Sequence, residues 1–421
     1  MMTMKLLIAP WGNPKGWEEL VYEFEGKEVK SYTSLKILHE VIAPNKTIII
    51  GLDTLAEEGS NYEEVKKNAE ERINEYASKF GLKNYEILIA PGIGSFPHGT
   101  FCGSALDYYY YILAKISTNL LNYSDNVLEV HLDLTHGINY STILTYKAIK
   151  EILEVFSIFE EIKFKAYNAD PSLPFATNKL FMNIIEDISP TPKPFDGKIK
   201  QKRLLDPIDL NPEERKKLFE KDLRCIRELD ASEISAFLGA LYNGLPLALF
   251  RFYPDKNNLK KTIFKTLKVY EKYIKIEYTT KLNVKRKVRF GEDFKAYIFT
   301  YLTTNLLEKL GLVSSQEREV ELLKAKYITS NLFKFDERLK IKIENDIYTL
   351  EKDIKDKNVN DWEIYNNILG KPIGEPDKRN FLAHSGFERN LVEIKKAKNA
   401  YVRYRENKIK IIKDFCQQGL K

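Results

Sequence analysis

TIIIGLD, Thr47 to Asp53, and YEILIAP, Tyr85 to Pro91, decide the fold of the first half of this chain. Both are continuous apolar runs rather than alternating ones. A strand with one face in water alternates, whereas a parallel strand covered by helices on both faces does not. Outward from this pair, further strands are expected over Lys5 to Trp11, Val127 to Thr135 and Ile162 to Asn168, with Phe181 to Ile188 at an edge. Helices are expected between them at Leu35 to Ile42, Tyr62 to Phe80, Cys102 to Leu121 and Asn139 to Phe156. Strands alternating with helices read as a Rossmann-like α/β domain with a parallel sheet, residues 1–188.

Sheets of this kind bind ligands where their strands end. Three strand ends carry suitable loops: WGNPKG (Trp11 to Gly16), PGIGSFPHGTF (Pro91 to Phe101) and DLTHGINYST (Asp133 to Thr142). Glycines such as Gly12, Gly94 and Gly137 permit close backbone approach, and the following helix N-termini offer free amides to an anion. Asn13, Ser95, Thr135 and Asn139 supply polar donors, while Trp11 and Phe96 supply apolar walls. His136 is either a pocket residue or a cap on the next helix. No GxGxxG fingerprint follows the first strand, which argues against a dinucleotide enzyme.

Charge divides the chain. Residues 1–190 hold 17 Lys+Arg against 26 Asp+Glu, a net of −9; residues 191–421 hold 49 against 34, a net of +15. The second half is therefore the one suited to a polyanion. Cys102, Cys225 and Cys416 have neither metal-ligand spacing nor an even count, as expected for reduced thiols in a cytoplasmic protein. No apolar run reads as a signal peptide or membrane span, and no His, Asp and Glu cluster has metal-ligand spacing.

Residues 189–210, rich in proline and charge, read as a linker, and 211–421 as a helical domain. One interruption stands out. The alternating, β-branched segment Ile274 to Phe290 reads as an inserted β-hairpin, whose Lys285 and Arg286 either touch RNA or protect a solvated edge. A final amphipathic helix is expected over Glu388 to Phe415, with Leu391, Ile394, Ala397, Tyr401, Tyr404, Ile411 and Phe415 on one face. Its basic residues, among them Arg403 and Arg405, either guide RNA or are simply solvated.

Ahead of that segment stands RNFLAHSG, Arg379 to Gly386, with Asp377 as a candidate N-cap. Arginine offers a permanent forked charge for phosphate oxygens, and histidine moves protons near neutral pH. The pair suits attack of an RNA 2′-hydroxyl on its own phosphate. At about 100° per residue, Arg379 and His384 lie roughly 140° apart on a regular helix. Serving one phosphate therefore requires a kink or a second copy.

RNFLAH resembles the motif of HEPN ribonucleases, an arginine, a polar residue, three more residues and a histidine. DLTHGIN resembles the ligand motif of CARF sensor domains. In that order the two are similar to the CARF-HEPN accessory ribonucleases of type III CRISPR systems. The resemblance implies an antiviral endoribonuclease that is a homodimer at least and binds a cyclic oligoadenylate, most often cyclic tetra-adenylate. It implies cleavage of single-stranded RNA without a metal or other cofactor, leaving 2′,3′-cyclic phosphates. Arg379, Asn380 and His384 would be catalytic; Thr135, His136, Gly137 and Asn139 would line the sensor pocket, with Asp133 and the two other strand-end loops beside them. Two other readings remain open: a sensor that drives nucleic-acid binding without turnover, and a nucleotide-dependent enzyme working in the N-terminal crevice.

Overall fold

The structure, a computed structural model, describes residues 3–123, 127–171 and 178–421. Two compact units divide it. The first comprises Met1–Thr191, Leu204–Leu223 and Phe264–Gly291; the second comprises Pro192–Arg203, Arg224–Ile263 and Glu292–Lys421.

In chain order the first unit opens with β1 (Thr3–Pro10), β2 (Leu20–Phe24), β3 (Lys27–Ser31), α1 (Leu35–Ile42), β4 (Lys46–Leu52), α2 (Tyr62–Lys79) and β5 (Tyr85–Ala90). It continues through β6 (Gly94–Ser95), β7 (Gly99–Cys102), α3 (Ala105–Leu121), β8 (Val127–Asp133), α4 (Asn139–Phe156), β9 (Ile162–Ala169) and β10 (Lys179–Ile188). Eight strands form one sheet in the order β3-β2-β10-β9-β8-β1-β4-β5. From β9 to β5 every pairing is parallel, as the unbroken apolar runs predict. Leu6, Leu7, Ile8, Ile48, Ile49 and Ile50 are all at most 1% exposed. β10 runs antiparallel to β9 but is not the edge strand expected, because its other side pairs with β2. The β2–β3 hairpin beyond it is additional: its sequence, LVYEF–EG–KEVKS, is too charged to read as a strand pair before its neighbour is known. Asn61 caps α2, and Ser104 with Asp107 forms a capping box on α3.

After β11 (Leu205–Pro207) and α5 (Pro212–Lys217) come α6 (Ala231–Asn243), α7 (Pro246–Arg251) and α8 (Lys256–Lys272), followed by β12 (Ile274–Tyr278), β13 (Leu282–Arg286) and β14 (Val288–Phe290). The expected hairpin over 274–290 is thus present, but its affiliation differs from expectation. β13 pairs in parallel with β7, giving a sheet β12-β13-β7-β6, and β14 pairs with β11, all within the first unit. Strand alternation announces the hairpin; only the partner strand reveals where it belongs.

The second unit continues with α9 (Asp293–Lys309), β15 (Glu319–Glu321), α10 (Leu322–Leu332), α11 (Glu337–Ile354), β16 (Val359–Ile364), α12 (Tyr365–Ile368), α13 (Lys378–Ala383), β17 (Val392–Lys396), β18 (Ala400–Tyr404) and α14 (Ile409–Cys416). The long helix expected over Glu388 to Phe415 is not formed. Residues 392–404 fold instead as the β17–β18 hairpin in an antiparallel sheet β15-β18-β17-β16, and only α14 is helical. The buried residues explain this: Val392 and Ile394 on one strand, and Val402 and Tyr404 on the next, repeat every second position. α10 packs against β15 and β18, and α7 against β18. Gly239 lets α6 approach α14, since a Cβ there would lie 2.0 Å from the Cys416 carbonyl oxygen.

Candidate functional site

The crevice of the first unit lies where β1 meets β8, the point at which strand order reverses about β1. The two loops leaving these strands are joined directly, with the Gly12 N–H donating to the His136 carbonyl at 2.8 Å. A Cβ on Gly12 would meet Ile138 Cγ2 at 3.0 Å, and one on Gly137 would meet Thr142 Cγ2 at 2.4 Å, so both glycines allow the close approach expected of them. Asp133 is buried, accepting from Ser34 Oγ at 2.6 Å and from the Thr135 N–H at 3.0 Å. Thr135 Oγ1 accepts from the Ala169 N–H at 3.1 Å.

His136 is held on three sides. Its Nε2 accepts from the Ser34 N–H and the Tyr22 hydroxyl, each at 3.3 Å, and its ring stacks on Trp17 at 4.0 Å. Accepting at Nε2 assigns the neutral ring with its proton on Nδ1. Burial agrees with that assignment, pushing the His136 pKa down to about 4 against the pull of Asp133. Sequence reasoning missed Trp17, Tyr22 and Ser34: Trp17 lies one residue beyond the WGNPKG stretch of the loop after β1, Tyr22 lies in β2 and Ser34 just after β3, and no local signal marks them.

The remaining sensor candidates scatter. Asn13 and Asn139 are exposed near the crevice, Asn13 spending its side-chain oxygen on the Lys15 N–H. Trp11, 1% exposed, packs against Trp17 and Phe80 and is core rather than pocket wall. Gly94 and Ser95 belong to the small sheet, with Gly94 opposite Phe101, and Phe96 lies in the turn to β7, stacked on His98 at 5.5 Å. Their loop is tied to α4 by the Ile93 N–H donating to Tyr140 Oη at 3.1 Å.

The second site is built on α13. Asp377 caps it as expected, accepting from the Asn380 N–H at 2.7 Å, and Phe381 is fully buried against Tyr404 and Phe415. That anchor turns Arg379, Asn380 and His384 outward, and all three are exposed. The helix ends before His384, whose φ of −102° and ψ of 35° are not helical. The 140° separation of a regular helix therefore does not apply to the pair. Ser385 (φ 49°) and Gly386 (φ 83°) turn the chain away, with the Gly386 N–H closing on the Phe381 carbonyl at 2.9 Å. Gly386 could be nothing larger: a Cβ would lie 2.6 Å from Tyr404 Oη.

Two residues of α11, one turn apart, face this end of α13. Lys342 Nζ donates to the Leu382 carbonyl at 3.0 Å, with its pKa lowered by burial although Asp346 and Asp336 oppose the fall. Asp346 meets His384 Nδ1 at 3.2 Å and accepts from Ser385 Oγ at 2.8 Å. Among the described residues Arg379 makes no side-chain hydrogen bond or ion pair, leaving its fork open to an anion. Ser385 was legible as the motif's neighbour, but Asp346, 38 residues upstream, was not.

The four basic residues expected to touch RNA are placed otherwise. Arg286 is fully buried on Asp53 and cannot reach a polyanion. Lys285 pairs with Glu277 at 2.9 Å. Arg403 bridges Glu393 and Glu319 and lies 4.2 Å over the Trp362 ring, and Arg405 donates to the Asn390 carbonyl at 2.9 Å. Among the described residues no three His, Cys, Asp or Glu side chains are grouped to hold a metal, and no helix is long and apolar enough to cross a membrane.

Joined strand-end loops in one unit and an outward arginine–histidine pair in the other define a two-module protein, a Rossmann-like domain joined to one of helices and a four-stranded antiparallel sheet rather than the all-helical domain expected. Comparison with known proteins identifies both. The model of the CARF domain of CRISPR system endoribonuclease Csx1 matches residues 6–171, and that of its HEPN domain matches residues 336–406. The CRISPR system endoribonuclease Csx1 of Methanocaldococcus jannaschii is 31% identical over 425 aligned residues, spanning 93% of this chain and 86% of the relative. The chain belongs to the Csx1 family of CRISPR system endoribonucleases. Among solved structures, Vibrio cholerae protein VC1899 matches at 11% identity and TM-score 0.25, over 73% of this chain and 67% of that one. Enterococcus italicus Csm6 bound to cyclic hexa-2′-fluoro-hexa-dAMP matches at 10% identity and TM-score 0.27, over 99% of each chain. At those scores neither likeness carries an argument.

Proposed function

We propose that this protein is a metal-independent endoribonuclease for single-stranded RNA in type III CRISPR defence, switched on by a cyclic oligoadenylate, most simply cyclic tetra-adenylate. The observation that carries the reading is the α13 terminus. Arg379 stands exposed on a short helix anchored by buried Phe381, His384 stands exposed at its C-terminal cap, and among the described residues Arg379 has no counter-ion. An exposed, unpaired guanidinium such as that of Arg379 gains little for the fold, and a phosphate supplies the missing partner.

The chemistry follows from the side chains. The 2′-oxygen of RNA bonds to phosphorus, the P–O5′ bond breaks, and the proton lost at the 2′-hydroxyl is matched by one gained at O5′. His384 orients the hydroxyl or carries its proton, Arg379 meets the charge growing on the non-bridging oxygens, and Asn380 positions the pair. The products carry a 2′,3′-cyclic phosphate and a 5′-hydroxyl. A homodimer brings two such motifs together. In the first unit, Thr135, His136, Gly137 and Asn139, with Gly12, Asn13 and Asp133, form the sensor crevice. What supports a ligand there is a neutral His136 whose Nε2 is occupied and whose Nδ1–H has no partner among the described residues.

The test is RNA cleavage in EDTA with and without cyclic tetra-adenylate, comparing the native chain with His384→Ala. Stimulated cleavage lost in the variant supports both gate and site. Cleavage that needs added magnesium, or that survives in the variant, overturns the reading; duplex binding without turnover would favour a non-catalytic regulator.

A further inference from the structure

We propose that Asp346 is the positioning residue for His384, fixing its Nδ1–H and thereby turning Nε2 outward to the RNA; the inference rests on His384 acting in RNA cleavage. Three observations carry it. First, both carboxylate oxygens of Asp346 are committed to the same two consecutive residues, Oδ1 to His384 Nδ1 at 3.2 Å and Oδ2 to Ser385 Oγ at 2.8 Å. A carboxylate that accepts at Nδ1 selects the tautomer with a lone pair on Nε2, the form able to take a proton. Second, the Asp346 side chain is only 16% exposed while that of His384 is 59% exposed, so the acid is the fixed member and the imidazole the presented one.

Third, Ser385 is fully buried at φ 49°, a backbone region in which glycine is the undemanding choice and a serine is strained. Gly386 follows immediately, so the turn has a glycine to hand. The serine is explained by its hydroxyl, whose hydrogen bond stops the Asp346 carboxylate from rotating. Lys342, one turn earlier on α11, holds the Leu382 carbonyl and completes the frame that fixes the distance between α11 and the end of α13. The cation facing Asp346 on its own helix is Lys342; on the facing segment the titratable groups are His384 and, exposed and turned outward, Arg379.

The experiment compares Asp346→Asn, Asp346→Glu and Ser385→Ala with the native chain, using His384→Ala as the inactive reference. Asp346→Asn keeps the shape and the link to Ser385 but removes the charge. The expected result is a kcat lower by ~10–100-fold with KM within about twofold, less than the loss at a fully buried triad because water screens the site. Asp346→Glu recovers part of the rate, and Ser385→Ala loses rate while the carboxylate still selects the Nδ1–H tautomer. Histidine-selective nitrogen NMR reads the tautomer directly: His384, assigned by its absence in His384→Ala, is an Nδ1–H species in the native chain and a mixture in Asp346→Asn. An unchanged tautomer in Asp346→Asn overturns the inference even if kcat falls, since that would be a structural defect alone. If the native chain cleaves no RNA, the function falls, and the NMR comparison still decides whether Asp346 orients His384.

Discussion

Arg286 and Asp53, 233 residues apart, form an ion pair in which both side chains are wholly buried. Asp53 also accepts from the Gly92 N–H at 2.7 Å and from Tyr62 Oη at 3.0 Å, while Arg286 donates to the Cys102 carbonyl at 3.1 Å. The pair thus ties the end of β4, the loop after β5 and β7 to the hairpin strand β13. Burial pushes the Asp53 carboxyl above its ordinary range, with Arg286 the largest force holding it down.

Arg286→Met leaves that carboxylate without its cation. Breaking a buried pair on one side costs ~3–5 kcal/mol. The folded-state pKa of Asp53 then rises further. A carboxyl raised on folding favours the folded state only while protonated, so the loss is smaller at pH 5 than at pH 8. Urea unfolding of native and variant chains at both pH values measures the difference.

His136 gives the opposite kind of dependence. Its pKa is lowered to about 4 by burial, against an unfolded value of 6.5, so the unfolded chain takes up a proton that the folded one refuses. Stability is full above pH 6.5 and falls as the pH drops from there toward 4. His136→Gln removes that share, and near pH 5 the slope of unfolding free energy against pH becomes shallower by about 1.4 kcal/mol per unit. Urea titrations read through Trp11 and Trp17 fluorescence, in a Trp362→Phe background, test this. His131, also lowered to about 4 by burial, supplies a similar share that the variant leaves in place.

Arg379→Lys separates charge from geometry at α13. Lysine keeps the positive charge but not the planar fork. Cleavage of single-stranded RNA is expected to fall at least tenfold, a loss of about 1.4 kcal/mol of transition-state stabilisation. The melting temperature is expected to stay the same, because Arg379 is exposed and makes no ion pair among the described residues. Initial rates alongside thermal melts measure both.

Gly239→Ala tests the α6–α14 approach. The added methyl group would stand 2.0 Å from the Cys416 carbonyl oxygen, which is backbone and cannot rotate away. Overpacking of this kind costs ~1–3 kcal/mol, and a lowered urea midpoint is the expected outcome.

Local pattern was enough to place β1, β4, β5, β8 and β9, and to give α1 and α4 their observed bounds of Leu35–Ile42 and Asn139–Phe156. Continuous apolar runs and capping residues act within a few positions of one another, so a linear reading captures them. The Asp377 cap and the arginine–histidine motif were legible for the same reason. Residues 388–415 were misread because Leu391, Ile394, Tyr401 and Tyr404 also fit helical spacing. What decides for strands is that Val392, Ile394, Val402 and Tyr404 find burial and hydrogen bonds across from β15 and β16, partners set by tertiary contact. The sequence by itself thus determined the parallel core, the order of the modules and the arginine–histidine motif of α13. Tertiary structure alone decided that Arg286 is a buried counter-ion, that Trp17, Tyr22 and Ser34 hold His136, and that Asp346 stands behind His384. Each of these is a contact between residues distant in sequence, and no local periodicity encodes such a meeting.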